Sequence, residues 1–162
     1  LPVELTMVND LPANLTRPPR ARLPFGDPPV LLYFLDRNGH TPEPPGIWVN
    51  AGQRTEIVVR SGPPILDFTL TLESPVPNTV WASMGGRTHA VELEAGEKTQ
   101  FTLVPEGVYS RRGWSYLLSL EAKDGFVPRL LYPDSTDPRY LGVSVNITST
   151  LGDDGGQTLH GW

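Results

Sequence analysis

The sequence predicts an all-β protein, a single antiparallel β-sandwich of immunoglobulin-like or jelly-roll type. Three observations carry this. Apolar residues recur with a period of two along most of the chain, the pattern of strands with one dry and one wet face. Turn residues interrupt the pattern every 8–12 residues or so, as they do in sandwiches; there are 16 Gly and 18 Pro in 162 residues. No window of useful length places apolar residues at i, i+3, i+4 and i+7 without meeting Pro or Gly, so no long helix is expected.

Taken in order, Val3–Val8 reads as a first strand, followed by a proline-rich crossing loop over Leu11–Pro29. Val30–Asp36, Trp48–Asn50 and Thr55–Arg60 read as short strands, separated by turns at Asn38-Gly39 and Ala51-Gly52. Leu66, Phe68, Leu70 and Leu72 alternate with Asp67, Thr69, Thr71 and Glu73, a half-buried strand. Thr79–Met84 follows, and Gly85-Gly86 turns the chain. Val91 and Leu93, with Phe101 and Leu103, flank Glu94-Ala95-Gly96-Glu97 and predict a hairpin there. Trp114, Tyr116, Leu118 and Leu120 alternate in the next strand, and Leu141, Val143, Val145 and Ile147 in the last. Between those two, Phe126–Tyr140 is a long loop rich in Pro and Asp. Phe68, Leu70, Leu118, Val143 and Val145 should point inward, and Thr69, Ser144 and Asn146 outward. The sandwich is expected over residues 1–151, with a flexible tail or linker stub over residues 152–162.

Composition removes much chemistry. There is no Cys, which excludes disulfides, thiolate metal sites and a cysteine nucleophile. A net charge of -5 and a pI of about 5.1 provide no basic field for nucleic acid. The longest apolar run, Val30–Leu35, falls far short of the roughly 20 residues of a spanning helix, so no membrane insertion is expected. Of the 13 basic residues only Lys98 and Lys123 are Lys, a bias that reads as bacterial coding. A chain starting at Leu1 reads as a processed form or as a piece of something longer.

Motifs remove more. His40, His89 and His160 are scattered, and none pairs with another at strand spacing for a metal. His40 reads as a solvated turn residue and His89 as a semi-buried residue at the core margin. Val49-Asn50-Ala51-Gly52-Gln53-Arg54 is similar to a segment of the cupredoxin-like domains of multicopper oxidases. Without Cys and clustered His a type 1 copper site is excluded, and no cofactor is expected. There is no Gly-x-Ser-x-Gly elbow, and Gly85-Gly86 precedes no helix that could cradle phosphate. Asp134 with Asp137, and Asp153-Asp154, have the oxygen chemistry calcium favours but not its motif spacing, and solvated loop acids are the expectation.

Aromatic residues suggest a binding surface. Trp81 and Trp114 read as core plugs, whereas Trp48 could equally face a ligand. Tyr109-Ser110-Arg111-Arg112-Gly113 lacks core periodicity and sets two guanidiniums beside an aromatic ring in an acidic chain. Trp48, Tyr109, Arg111 and Arg112 are therefore the candidate ligand-binding residues, suited to stacking on a sugar and bonding its hydroxyls or a carboxylate. Asn14-Leu15-Thr16 and Asn146-Ile147-Thr148 are formal glycosylation sequons without meaning in a bacterial protein.

One stretch has a more specific pattern. Phe126-Val127-Pro128, followed by Asp137-Pro138-Arg139-Tyr140-Leu141-Gly142-Val143, resembles β-sandwich segments that accompany bacterial envelope-polysaccharide glycosyltransferases. The resemblance spans about 20 residues and implies an accessory role in surface glycan assembly, with no catalytic residues attached. From the residues themselves, Asp137 and Arg139 form a carboxylate–guanidinium pair that could pin the long loop. Gly142 would allow close backbone approach at that corner.

The reading is a non-catalytic recognition or accessory domain of a bacterial envelope or secreted protein, extracytoplasmic, with an oligosaccharide or another envelope protein as partner. A small carboxylate-dependent glycan-active hydrolase or lyase is the alternative from another class, and a structural spacer is the third. A hydrolase requires a cleft with two carboxylates, one of raised pKa; a recognition module requires exposed aromatics beside polar groups.

Overall fold

A computed structural model describes residues 22–25, 30–40, 43 and 46–152. The strands are β1 (Arg22–Phe25), β2 (Val30–Phe34), β3 (Ile47–Asn50), β4 (Arg54–Ser61), β5 (Ile65–Glu73) and β6 (Asn78–Met84). They continue with β7 (Arg87–Leu93), β8 (Lys98–Leu103), β9 (Gly107–Ser110), β10 (Gly113–Ala122) and β11 (Leu141–Leu151). A single helical turn, α1 (Pro128–Leu131), lies between β10 and β11. Two antiparallel sheets pack face to face, an all-β sandwich. One has the order β1-β2-β4-β10-β6-β7 with β9 also pairing with β10, and the other has the order β3-β11-β5-β8.

The period-two pattern produces the core directly. Phe68, Leu70, Leu118, Val143 and Val145 are buried between the sheets, packed with Leu32, Ile57, Tyr116 and their neighbours. Tyr116 is anchored there by its hydroxyl, which accepts the Ile65 N–H at 2.8 Å; burial pushes its phenol pKa up. The outer faces differ. On the larger sheet the runs Val30–Leu35 and Ile57–Val59 are too apolar to alternate, and Tyr33 and Val58 are buried on the outer side as well. On the smaller sheet the outer residues are mostly polar, threonines and amides among them, and Asn146 and Thr148 are exposed.

Several expectations change. Val3–Val8, the first part of the Leu11–Pro29 loop, Asn14, Asp153-Asp154, His160 and the tail after residue 152 lie outside the described residues. Within the expected crossing loop, Arg22–Phe25 forms an edge strand on β2; Pro24 is tolerated because an edge strand can do without one N–H. Leu66 is exposed and Ile65 takes the inward place, because the β5–β11 register slips between Thr150 and Leu151. The expected hairpin over residues 94–97 is an arch. Its first arm, β7, pairs with β6 in one sheet, and its second, β8, pairs with β5 in the other. The Gly96 N–H bonds to the Ser74 carbonyl at 2.8 Å and holds the arch down. Inward-pointing apolar residues on both arms are equally consistent with either geometry, so periodicity could not separate them. Strand β7 instead forms its hairpin with β6 at Gly85-Gly86, where φ values of 61° and 79° meet the left-handed requirement of a two-residue type I′ turn. Ser144 is buried, not exposed, lying across from Trp48 in the β3–β11 ladder. Trp81 is half-buried on the outer face of the larger sheet, and Trp114 packs against the core.

The two sheets meet where β10 ends. Ala51 bridges Ala122, and a Cβ on Gly142 would stand 2.5 Å from the Ala122 Cβ, so only glycine permits this approach. Beside it the buried Asn78 amide uses its full bonding capacity. Its Nδ2 donates to the carbonyls of Asp124 (2.7 Å) and Gly142 (3.2 Å). Its Oδ1 accepts the N–H groups of Asp124 (2.8 Å) and Thr79 (2.9 Å). One side chain thus ties β6 to the loop after β10 and to β11.

Removing those bonds strands the buried Gly142 carbonyl, at a cost of about 1–3 kcal/mol, whereas the partly buried groups of Asp124 and Thr79 can turn to water. Asn78→Ala should lower urea-unfolding stability by about 1–3 kcal/mol. Asn78→Asp, which turns an acceptor toward two carbonyls, should cost more than Ala despite its near-identical shape. If Asp is tolerated better than Ala, the Nδ2 bonds do not hold this corner.

Candidate functional site

The corner that Asn78 secures forms one wall of a cleft of about 360 Å³, within the size range of small-ligand sites. Trp48 stands on the outer side of β3, because Ile47 and Val49 take the inward positions. Phe126 meets it edge-on, with ring centroids 5.7 Å apart and planes at 69°. Phe126 is itself fixed by reciprocal backbone bonds with Leu141, at 2.8 and 2.9 Å. Pro128 starts α1, where its fixed φ and missing N–H suit the first helical position. The turn then delivers Tyr132, half-exposed, to the cleft. Leu141 and Pro75 add apolar surface, and Glu73 and Asp137 supply polar atoms at the walls.

The loop is held shut on itself. The Asp137 carbonyl accepts the Arg129 N–H at 3.0 Å. Its carboxylate accepts Arg139 Nε at 2.9 and 3.0 Å and Nη2 at 2.6 Å. The same Nη2 reaches Glu43 Oε1 at 2.8 Å, joining the loop to the segment before β3. These charge-assisted bonds hold the Asp137 carboxyl below the usual carboxylate range and raise the guanidinium of Arg139. His40, expected to be a solvated turn residue, is bound through Nε2 to Asn50 Oδ1 at 2.7 Å. His89 is exposed, with its ring 6.1 Å from Phe101.

The four expected ligand residues do not converge. Trp48 belongs to the cleft. Tyr109, Arg111 and Arg112 lie at the other end of β10, about 30 Å away along its length. Tyr109 is not in a loop but on β9, paired with Trp114 and exposed to 64%, with its ring 5.1 Å from that of Trp114. Arg111 and Arg112 form the exposed tip of the β9–β10 hairpin. Sequence reasoning missed Phe126 as a ring partner, together with Tyr132, Pro75 and Glu73. Only Phe126 carried a signal, as part of the Phe-Val-Pro stretch.

A second cleft, of about 290 Å³, opens between Gly85-Gly86 and Glu106. No aromatic residue lines it, and its hydroxyls already bond one another or Glu56. Among the described residues no three His, Asp or Glu gather to hold a metal ion. Nor, among them, is any helix long and apolar enough to cross a membrane. No family model, curated protein or solved structure matches the chain.

The Asp137–Arg139 clamp sets a pH dependence. Because the folded carboxyl is held below its ordinary value of about 3.9, the clamp stabilises the protein above that pH and is lost as pH falls through the lowered folded value. Carboxyl NMR titration should place the Asp137 midpoint below that of a free Asp, and Arg139→Gln should raise it toward the ordinary value. An unshifted Asp137 would mean that the loop is not clamped.

Proposed function

We propose that this chain is a non-catalytic glycan-recognition domain, an accessory part of a bacterial envelope or secreted protein, and that the Trp48 cleft is its binding site. The observation that carries this reading is the placing of an indole. Trp48 is half-buried and braced by Phe126, beside a half-exposed Tyr132 and the carboxylate of Glu73. Rigid aromatic surface next to hydrogen-bond acceptors suits a sugar, which has apolar C–H faces and a rim of hydroxyls. The residues that resemble glycosyltransferase-associated sandwiches support the same site. Phe126, Pro128, Asp137 and Leu141 line the cleft, and Arg139 and Gly142 hold the wall behind it.

The carboxylates favour recognition over hydrolysis. A general acid has to keep its proton near neutral pH, whereas Asp137 is pushed the other way by Arg139. Glu97, raised by the hydrogen bond and charge of Glu94, is on the exposed arch and not among the cleft-lining residues.

Titration with neutral oligosaccharides, followed by amide and indole NMR, tests the reading. Binding at millimolar to high-micromolar Kd, about 4–6 kcal/mol, should move the signals of Trp48, Phe126 and Tyr132. Trp48→Ala should weaken it by about tenfold or more with the fold retained, at the modest stability cost of losing its edge-on pair with Phe126. Shifts confined to Tyr109–Trp114 would reassign the site to the hairpin tip.

A further inference from the structure

The outer face of the smaller sheet adjoins the cleft through Trp48 and Glu73. The ladder aligns Trp48, Ser144, Glu73 and Lys98 in one cross-strand row. The next row along the strands is Asn146, Thr71 and Gln100, and the one after is Thr148, Thr69 and Thr102. These two further rows contain six hydroxyl or amide side chains and no charge. Beyond Ile47 the β3 partner ends, so the β11 flank of both rows is uncovered by any described strand.

We infer that these rows extend the cleft into a track for an extended, uncharged polysaccharide, so that the ligand is a chain of several sugars and not a single residue. This rests on the glycan reading of the cleft. A threonine hydroxyl donates and accepts, as a sugar hydroxyl does, and an amide offers both roles at fixed positions. Positions recur about 4.8 Å apart across strands and about 6.7 Å apart along them, a repeating set of partners that a repeating chain can use. The bonds within the face are long, 3.3 Å for both Thr69–Thr102 and Gln100–Thr71, so they yield readily to a ligand. Asn146, Thr148, Thr102 and Gln100 are exposed. Neither polar row contains a cation, so along the track itself an anionic chain meets no counter-charge, and Lys98 faces Glu73 only in the row at the cleft.

Chain length is the discriminating variable. The probes are cello-oligosaccharides and N-acetylchito-oligosaccharides of two and six units, with an alginate hexamer as the anionic control, in calorimetry and amide NMR. At least one neutral hexamer should bind about tenfold or more tightly than its dimer and move the amides of Thr69, Thr71 and Thr148 as well as that of Trp48. The double variant Thr69→Ala with Thr71→Ala should lose most of that hexamer advantage and keep dimer binding. Equal dimer and hexamer affinity, with shifts confined to Trp48, Phe126 and Tyr132, overturns the track and leaves the cleft reading intact. Tighter binding of the alginate hexamer overturns the uncharged-chain assignment. No response to any probe overturns both.

Discussion

The Asn78 amide is the joint on which the functional end of this sandwich depends. Two stacked sheets need contacts between their rims, and side-chain packing alone does not dictate where a long connection between them comes to rest. Three hydrogen bonds from one buried side chain to Asp124 and Gly142 do. They bring Asp124 and Gly142 to β6, which leaves Phe126 opposite Leu141 and therefore beside Trp48. A buried amide with every bond satisfied specifies one arrangement, because any slip of the loop would leave polar groups unpaired in an apolar setting. Gly142 adds the complementary steric condition, since any larger residue would push β11 away from Ala122.

From that joint outward, the site is built in layers. Strand β5 supplies the Glu73 carboxylate, β11 the apolar Leu141, and β3 presents the indole. The Phe126–Tyr140 connection gives the remaining wall, and Arg139 spans from Asp137 to Glu43 so that both flanks of the cleft share one cation. Such surface ion pairs contribute modestly to stability on their own. Their value here is geometric: the loop is preorganised, so a weak ligand does not have to order it on binding.

Much of the fold was legible because half-buried strands repeat with period two and most of the turns contain Gly or Pro. The strands around Phe68, Leu118 and Val145 are where alternation places them. Periodicity was silent about pairing partners, and so the arch over residues 94–97 resembled a hairpin. Register slips were equally invisible, and one of them exchanged Ile65 for Leu66 in the core. As a ligand surface the site was legible only in Trp48, while Phe126, Pro128, Asp137 and Leu141 stood out as one sequence pattern without pointing to a cleft. Tyr132 and Glu73 join Trp48 only through tertiary structure, being 84 and 25 positions away in sequence. Tyr109 was conspicuous for a local reason, its neighbouring arginines, yet its strand carries it to the far end of β10.

If the joint holds the cleft in shape, the loop behind Phe126 belongs to the cooperative core and not to the mobile surface. Native-state amide hydrogen exchange tests this directly. The Asp124 and Phe126 N–H groups, bonded to Asn78 Oδ1 and to the Leu141 carbonyl, should be protected to nearly the level of Val145 in the centre of β11. Exchange of both amides at unprotected-loop rates, with Val145 still fully protected, would show that the cleft wall opens independently and that no preformed site exists.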